Sequence, residues 1–463
     1  MYYCLNPYIG LRSFILVPYC YYVKGVRVVK GLSREEFEIL RMCDSLHEIK
    51  DSLTLQKLIK QGFVQPCEKG AFPFDPWQFK QCDNRYFPAA IWEITNRCNY
   101  NCKHCFNAID NNTSNDIFTL DEAKDLIKQM ADVGINAITL TGGEPMVHPD
   151  FFDIVFEIHK QGMYVEEINT NGFYINKAAL KKLKMMHADP LMKISFDGLG
   201  YHNWMRGNLN AEETTISAIK LCVKNNFKVK IQTNVWKGNL DSILKTAEYF
   251  DSLGVNEMRI IKTTEAPRWK QNADGQSLGF EEYYDEMFKF VEEYLKKDHK
   301  MVVDIWQLVR IYPQKKSYDI KPVTLKEGEY RDSIPVCRGN RGMVAIGANG
   351  RVYPCLQLSG VYEEQKIQLG DVRKQSLHDL LKESRYLDEV CTTIGDLKKE
   401  NDKCTNCKYF KYCAGGCRAL SYAYYGKYLR EDPWKCVFYE KGYYDKLIKV
   451  LKDYKNNTPI NID

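Results

Sequence analysis

No stretch of this 463-residue chain approaches the roughly 18 consecutive apolar residues that a membrane-spanning helix needs. The start also lacks a basic region followed by about 7 to 15 apolar residues, the pattern of a secretory signal, because Phe14 to Val17 is too short. These two absences predict a cytoplasmic protein with no membrane partner. A dominant charge is missing as well. With 65 basic and 60 acidic residues the net charge is +5, and the Lys-rich piece Lys177 to Lys184 reads as the solvated face of a helix. No nucleic-acid footprint is present.

Cysteine, by contrast, is abundant. Seventeen cysteines would suggest disulfides in a secreted protein; in a reducing compartment, cysteines grouped at ligand spacing point to metal ions or clusters. Three stand at Cys98, Cys102 and Cys105, directly after the apolar run Ala90 to Thr95. Thiolates are the ligands iron–sulfur cubanes prefer, and three of them leave one iron open for a small chelating ligand. Zinc accepts the same three cysteines together with His104. Both readings fit these residues taken alone.

Gly142-Gly143-Glu144-Pro145 follows at the end of the next expected strand. The triad and this segment together resemble the signature of the radical S-adenosylmethionine (SAM) enzymes. The resemblance implies a [4Fe-4S] cluster on Cys98, Cys102 and Cys105, with SAM on its open iron. It also implies SAM contacts from Gly142, Gly143, Glu144, Pro145, Asn171 and Asn234. Ser195 and Asp197 would face its ribose and methionine parts, and Arg206 its carboxylate. His104 stands where the family often has an aromatic against the adenine.

Taken in order, residues 1–65 read as a winged-helix-like α+β unit. Arg12 to Pro18, Tyr19 to Lys24 and Val26 to Lys30 are rich in β-branched and aromatic residues. Ser33 and Glu36 then form a capping box before a helix, and Leu55 to Gln61 reads as a second helix. Leu32 to Val64 resembles the leader-peptide recognition domains of peptide-modifying enzymes, similar to the chaperone of pyrroloquinoline quinone biosynthesis. That implies a precursor peptide bound as an added strand on a sheet edge. Residues 66–89, with Pro66, Pro73, Pro76 and Pro88, read as a bridging segment.

From Ala90 onward strands alternate with helices. Strands are expected at 91–95, 137–141, 164–168, 192–196, 229–234 and 257–261, with helices at 120–133, 151–160, 177–186, 213–224 and 240–253. This order implies a parallel sheet with right-handed crossovers, and a doubly wound sheet or an incomplete barrel would both satisfy it. The family resemblance selects a partial (β/α)6 barrel over residues 90–300, with its site at the C-terminal ends of the strands.

Residues 301–463 carry Cys337, Cys355, Cys404, Cys407, Cys413, Cys417 and Cys436. A zinc ribbon would explain Cys404 to Cys417. All seven cysteines, in kind and spacing, resemble the SPASM domain. By that resemblance Cys404, Cys407, Cys413 and Cys436 hold one auxiliary [4Fe-4S] cluster, and Cys337, Cys355 and Cys417 hold another. Some members add a cysteine shortly after the first, which Arg338 to Gly342 lack. An open iron, a water or another ligand fills that place, with Cys391 as a candidate.

The resemblance implies that a 5′-deoxyadenosyl radical takes a hydrogen atom from the substrate and that an auxiliary cluster accepts an electron, for a net oxidation. Anaerobic sulfatase maturases share both domains but typically carry an aspartate directly after the cysteine that corresponds to Cys355. Here Leu356-Gln357 stand there. The missing acid and the N-terminal unit point to maturation of a ribosomally made peptide by thioether or carbon–carbon crosslinking, with a flavodoxin- or ferredoxin-type electron donor. The alternatives are side-chain oxidation of a protein by a maturase-like enzyme and, in another class, a non-catalytic zinc or iron–sulfur protein. Tyr353, Glu363 and Asp371 all qualify as general base.

Overall fold

The computed structural model describes residues 1–105 and 116–461. It begins with β1 (Tyr2–Leu5), β2 (Ile9–Phe14), β3 (Val17–Val23) and β4 (Lys30–Gly31), continues with α1 (Arg34–Arg41) and α2 (Leu53–Lys60), and returns in β5 (Val64–Cys67) and β6 (Phe79–Gln81). The first expected strand therefore begins earlier and turns at Ile15-Leu16, and β1 is an additional strand. Pro18 sits in β3 where the pairing with β2 shifts register, between Val17 opposite Phe14 and Cys20 opposite Arg12, and before the β4 pairing begins at Cys20, an irregularity of the kind that accommodates proline. The capping box is formed: Ser33 Oγ accepts from Glu36 N at 3.1 Å, and the Glu36 carboxylate accepts from Ser33 N at 2.9 Å. Leu11, Phe37, Leu40, Leu55 and Leu58 build a core for this unit apart from the main one. After β5 the chain comes back to it, β6 lying parallel to β2 with Leu11 opposite Phe79.

The alternating region contains β7 (Ala89–Thr95), α3 (Leu120–Asp132), β8 (Ala137–Gly142), α4 (Phe151–Lys160), β9 (Tyr164–Thr170), α5 (Lys177–Met185), β10 (Leu191–Ser195), α6 (His202–Arg206), α7 (Ala211–Lys224), β11 (Val229–Val235), α8 (Ile243–Ser252), β12 (Glu257–Lys262), α9 (Pro267–Asn272) and α10 (Phe280–Tyr294). Strands β7 to β12 are neighbours in sequence order and all parallel. This is the partial (β/α)6 barrel. The sheet runs on beyond both ends of it. After β12 come β13 (Val302–Ile305), β14 (Val309–Tyr312) and β15 (Ser317–Ile320); beside β7 lie β16 (Met343–Ile346) and β17 (Val352–Tyr353); β18 (Lys455–Asn456) pairs with β15, giving twelve described strands.

Strand parity sets what the barrel interior contains. In β10, β11 and β12 the residues Met192, Ile194, Val229, Ile231, Met258 and Ile260 are fully buried in the main core. The alternate residues Lys193, Ser195, Gln232, Asn234 and Arg259 point the other way and line a cavity. An ordinary closed barrel would fill that space with branched apolar side chains; here it is polar and open to ligands. Two helices of the C-terminal third, Leu356–Glu364 and Arg418–Tyr425, roof it. Among the described residues no helix is long and apolar enough to cross a membrane.

Candidate active site

The loop after β7 presents Cys98, Cys102 and Cys105 to a cavity of about 630 Å³ that continues into the barrel. Backbone contacts fix this loop. Gly143 N donates to Thr95 O and Glu144 N to Arg97 O, both at 2.9 Å, and Lys103 N donates to Met205 O at 2.9 Å. The two glycines are explained by that approach. Gly142 has φ +146°, and a Cβ on it would lie 2.0 Å from the Thr95 carbonyl oxygen; one on Gly143 would lie 2.3 Å from that of Arg97. Both glycines also line the cavity, so one surface of the segment seats the cysteine loop and the other is free for a ligand.

Glu144 stands one layer behind the cavity wall, with no exposed surface. Its carboxylate accepts from Thr170 Oγ1 at 2.8 Å, from Asn171 N at 2.7 Å and from Met146 N at 3.1 Å. Burial pushes its carboxyl up to about 7. Pro145 starts the short 3-10 turn that follows. Asn171 lines the cavity and donates through Nδ2 to Asn99 Oδ1 at 2.8 Å, which ties the third strand end to the cysteine loop.

Asp197 is the hub of the next strand ends. Arg206 Nε lies 2.7 Å from one of its oxygens and His202 Nδ1 3.4 Å, while Asn234 Nδ2 donates to the other oxygen at 3.2 Å. Burial alone would raise its carboxyl, but Arg206 and the two histidines overcome this and hold it well below the usual range. Arg206 Nη1 reaches Cys102 Sγ at 3.6 Å. Asn234 Nδ2, its position fixed by Asp197, also meets His104 Nε2 at 2.8 Å. That nitrogen therefore accepts, and the proton of His104 is on Nδ1. Burial holds this imidazole down at about 4, so it is neutral near pH 7.

Arg206 Nη2 and His104 Nδ1 in the cavity wall, and Asn99 Nδ2 in the cysteine loop, are buried donors with no hydrogen-bond partner among the described residues. A cationic fork and neutral N–H groups beside three thiols fit a ligand rich in acceptors, as SAM is with its carboxylate and adenine ring. Ser195 and Asn234 line the same space.

Cys404, Cys407, Cys413 and Cys436 converge on a separate cavity of about 470 Å³, walled by Tyr409, Phe410 and Tyr439. Four thiols around one chamber fit a cubane. Cys355 and Cys417 are the N-cap residues of the two roof helices. Burial raises both thiols, and Cys337 is close enough to each to add to the rise. Backbone N–H groups of Gln357 and Leu358 at Cys355, and of Ala419 and Leu420 at Cys417, favour negative charge there together with the helix dipoles, which suits a cluster of thiolates. Cys391 does not join them. It lines a different surface cavity with Arg385 and Asp388, whereas Gln357 Oε1 lies 3.9 Å from Cys417 Sγ.

Tyr353, Glu363 and Asp371 are not at the cavity. Tyr353 donates to Glu363 at 2.5 Å, and Asp371 accepts from Arg373 N at 2.9 Å. Among the described residues the carboxylates lining the cavity are Glu265 and Glu364. Gln357, Gly360, Val361 and Glu364 fall at i, i+3, i+4 and i+7 on one face of their helix. The helical spacing is visible in the sequence, but which helix face and which strand parity meet the cavity is set by the tertiary fold.

A partial barrel with three cysteines on its first loop, joined to a second cysteine-rich region, defines a SAM-cleaving iron–sulfur enzyme. A family model of the radical SAM superfamily matches residues 92–250, and one of the iron–sulfur cluster-binding SPASM domain matches residues 337–408. The chain thus carries a radical SAM domain and a SPASM domain and is an enzyme that cleaves SAM reductively. Its cofactors are a [4Fe-4S] cluster, SAM and auxiliary iron–sulfur clusters, which sets aside both the zinc and the non-catalytic readings. The AdoMet-dependent heme synthase of Methanosarcina barkeri is 29% identical over 352 residues, covering 75% of this chain and 95% of that protein. Streptococcus suis SuiB, solved with precursor peptide SuiA, superposes with a TM-score of 0.63 at 15% identity, covering 94% of this chain and 99% of its own. The enzyme anSMEcpe, solved with AdoMet and the Cp18Cys peptide, gives 0.58 at 20% identity, covering 79% and 99%.

Proposed function

We propose that this enzyme modifies a ribosomally synthesised precursor peptide by joining two of its atoms through a thioether or a carbon–carbon bond. The observation that carries the reading is the N-terminal unit, which has its own core and a sheet whose edge strand β4 leaves Lys30 and Gly31 exposed. An edge strand offers a row of backbone donors and acceptors on which a leader peptide can add as a further strand. The fold shared with SuiB extends over most of that unit and supports the reading.

In this reading Cys98, Cys102 and Cys105 hold the SAM cluster, Cys404, Cys407, Cys413 and Cys436 one auxiliary cluster, and Cys337, Cys355 and Cys417 the other. When bound, the cluster and SAM supply a strong hydrogen-atom abstractor. Arg206, clamped by Asp197, offers Nη2 to the carboxylate of SAM. His104 offers its Nδ1 proton to an acceptor on the same ligand. The roof helices keep water from the substrate. Each crosslink removes one hydrogen atom, one proton and one electron from the peptide. Glu364 takes the proton, because Glu265 is already engaged by Lys262 and Ser277 at 3.2 Å. The electron leaves toward the roof, where Cys355 and Cys417 stand, and a flavodoxin- or ferredoxin-type donor supplies the electron for SAM cleavage.

The test is anaerobic reconstitution with iron, sulfide, SAM and a reductant, in the presence of short peptides encoded beside this gene. A product lighter by two hydrogen atoms, with 5′-deoxyadenosine in equal amount, is the expected result. A second reading, a tetrapyrrole substrate, is favoured by the likeness to the heme synthase over 95% of that protein. Consumption of iron coproporphyrin with every peptide unchanged in mass would select it.

A further inference from the structure

The floor of the cavity carries charge that the SAM contacts leave unused. Lys193 and Arg259 face the cavity across Gln232, which stands opposite Ser195 on one side and Arg259 on the other. Strands rise about 3.3 Å per residue, so on their own strands Lys193, Gln232 and Arg259 stand about 6.6 Å before the strand-end residues Ser195, Asn234 and Ile261. Carboxylates stand behind it. Glu167 is 3.3 Å from Lys193, and Asp304 is 3.8 Å from Arg259 and 3.5 Å from Lys321. Glu257 is shared by Lys230 at 3.0 Å and Arg310 at 2.6 Å.

Across these three neighbouring groups of ion pairs, five cations (Lys193, Lys230, Arg259, Arg310 and Lys321) face three carboxylates (Glu167, Glu257 and Asp304). The side chains are partly withdrawn from water, Asp304 to 4% exposure, Lys193 to 16% and Arg259 to 30%. Excess positive charge held there is costly until an anion meets it. Arg259 Nε is also buried without a hydrogen-bond partner among the described residues.

We propose that Lys193 and Arg259 form an anion subsite on the barrel floor that takes a carboxylate of the substrate. This deepens the reading in which the cavity holds the substrate, and rests on it; it does not require the substrate to be a peptide. The carboxylate of SAM is assigned to Arg206, which is paired with Asp197 and not with the floor carboxylates. Glu167 and Asp304 partly neutralise the two floor cations, so the remaining field suits a singly charged carboxylate better than a dianionic phosphate. Arg259 supplies a planar fork for two oxygens and Lys193 a point charge beside it. An acid group anchored there fixes the attached carbon chain just below the SAM contacts, where hydrogen abstraction occurs.

The test is calorimetric binding to the reconstituted holoenzyme with SAM and no reductant. The probes are the peptides acetyl-Ala-Glu-Ala-amide and acetyl-Ala-Gln-Ala-amide, then glutarate, glutaramide and inorganic phosphate. The expected result is at least tenfold tighter binding of the acid than of the amide in at least one pair. That preference should fall to less than twofold in Lys193→Gln and Arg259→Gln, while SAM binding stays unchanged as the check on folding. Preference for glutarate with both peptides silent supports the subsite and counts against the peptide reading. Equal binding or no binding within both pairs, phosphate binding more tightly than glutarate, or a preference that survives in both variants overturns the subsite.

Discussion

Gly142 packs against Thr95 so closely that a Cβ on it would stand 2.0 Å from the Thr95 carbonyl oxygen, in a backbone with φ +146°. The neighbouring Gly143 N–H donates to that same oxygen at 2.9 Å. The glycine pair therefore sets the height at which the cysteine loop leaves the barrel.

Gly142→Ala should distort that exit, at a cost on the order of 2–4 kcal/mol from strain and overpacking. Reconstituted protein should lose the iron of the SAM cluster and keep the auxiliary iron. Gly200→Ala is the control. Gly200 also has positive φ, at +82°, but a Cβ there meets nothing within 4 Å, and about 1 kcal/mol is expected. Equal iron content in the two variants would show that the close approach is not what seats the loop.

Asp197→Asn keeps the shape of a fully buried side chain and removes the charge that faces Arg206 Nε at 2.7 Å. Leaving a buried guanidinium unpaired costs about 3–5 kcal/mol. A lower melting temperature is expected, together with a SAM affinity weakened at least about tenfold, equivalent to 1.4 kcal/mol. Unchanged SAM binding would mean that Arg206 does not depend on Asp197 for its aim.

Much of this fold was legible because local signals and tertiary packing agree. The strand expected at 257–261 is β12, Glu257–Lys262, and the helix expected at 120–133 is α3, which Thr119 and Glu122 start with a capping box. Where they disagree, packing prevails. The helix expected from Leu240 begins as a 3-10 turn over Lys237–Ser242, because Asn239 bonds the Trp236 N–H, the Asp197 carbonyl and the Asn234 carbonyl. The site was legible at the cysteines, whose spacing is short-range. It was not at Lys193, Arg259 or Glu364, since which strand parity faces a cavity depends on how the sheet curves and on what roofs it. The glycine pair, expected as SAM contacts, has the carbonyls of Thr95 and Arg97 as its tightest neighbours, a tertiary approach that no local spacing encodes.

The three cysteine sets occupy different cavities or helix ends, so removing one ligand should act locally. Cys102→Ala should lower the iron content from roughly twelve atoms toward roughly eight, as expected for loss of one of three [4Fe-4S] cubanes, and abolish 5′-deoxyadenosine formation. Cys436→Ala should also lower iron by about one cubane, but it lies in the cavity walled by Tyr409 and Tyr439 and should leave SAM binding intact. Iron analysis with SAM calorimetry separates the two. Loss of SAM binding in Cys436→Ala would contradict the independence of these sites.

Acid should weaken the packing of α4 on β9 through His159. This ring accepts from Val165 N at 3.4 Å, and burial, followed by the nearby Lys24 and His187, holds its pKa down at about 4. The unfolded chain, with the ordinary value of 6.5, binds more protons between those two values. Stability contributed by the neutral ring is therefore complete above about pH 6.5 and is lost as the pH falls toward about 4. Because the ring is only half-buried, the contribution is about 1–2 kcal/mol after screening. His159→Gln can still accept the Val165 N–H and carries no titrating group. The drop in melting temperature of apo protein between pH 7.5 and pH 5 should be smaller in this variant than in the wild type; an equal drop would place the acid sensitivity elsewhere.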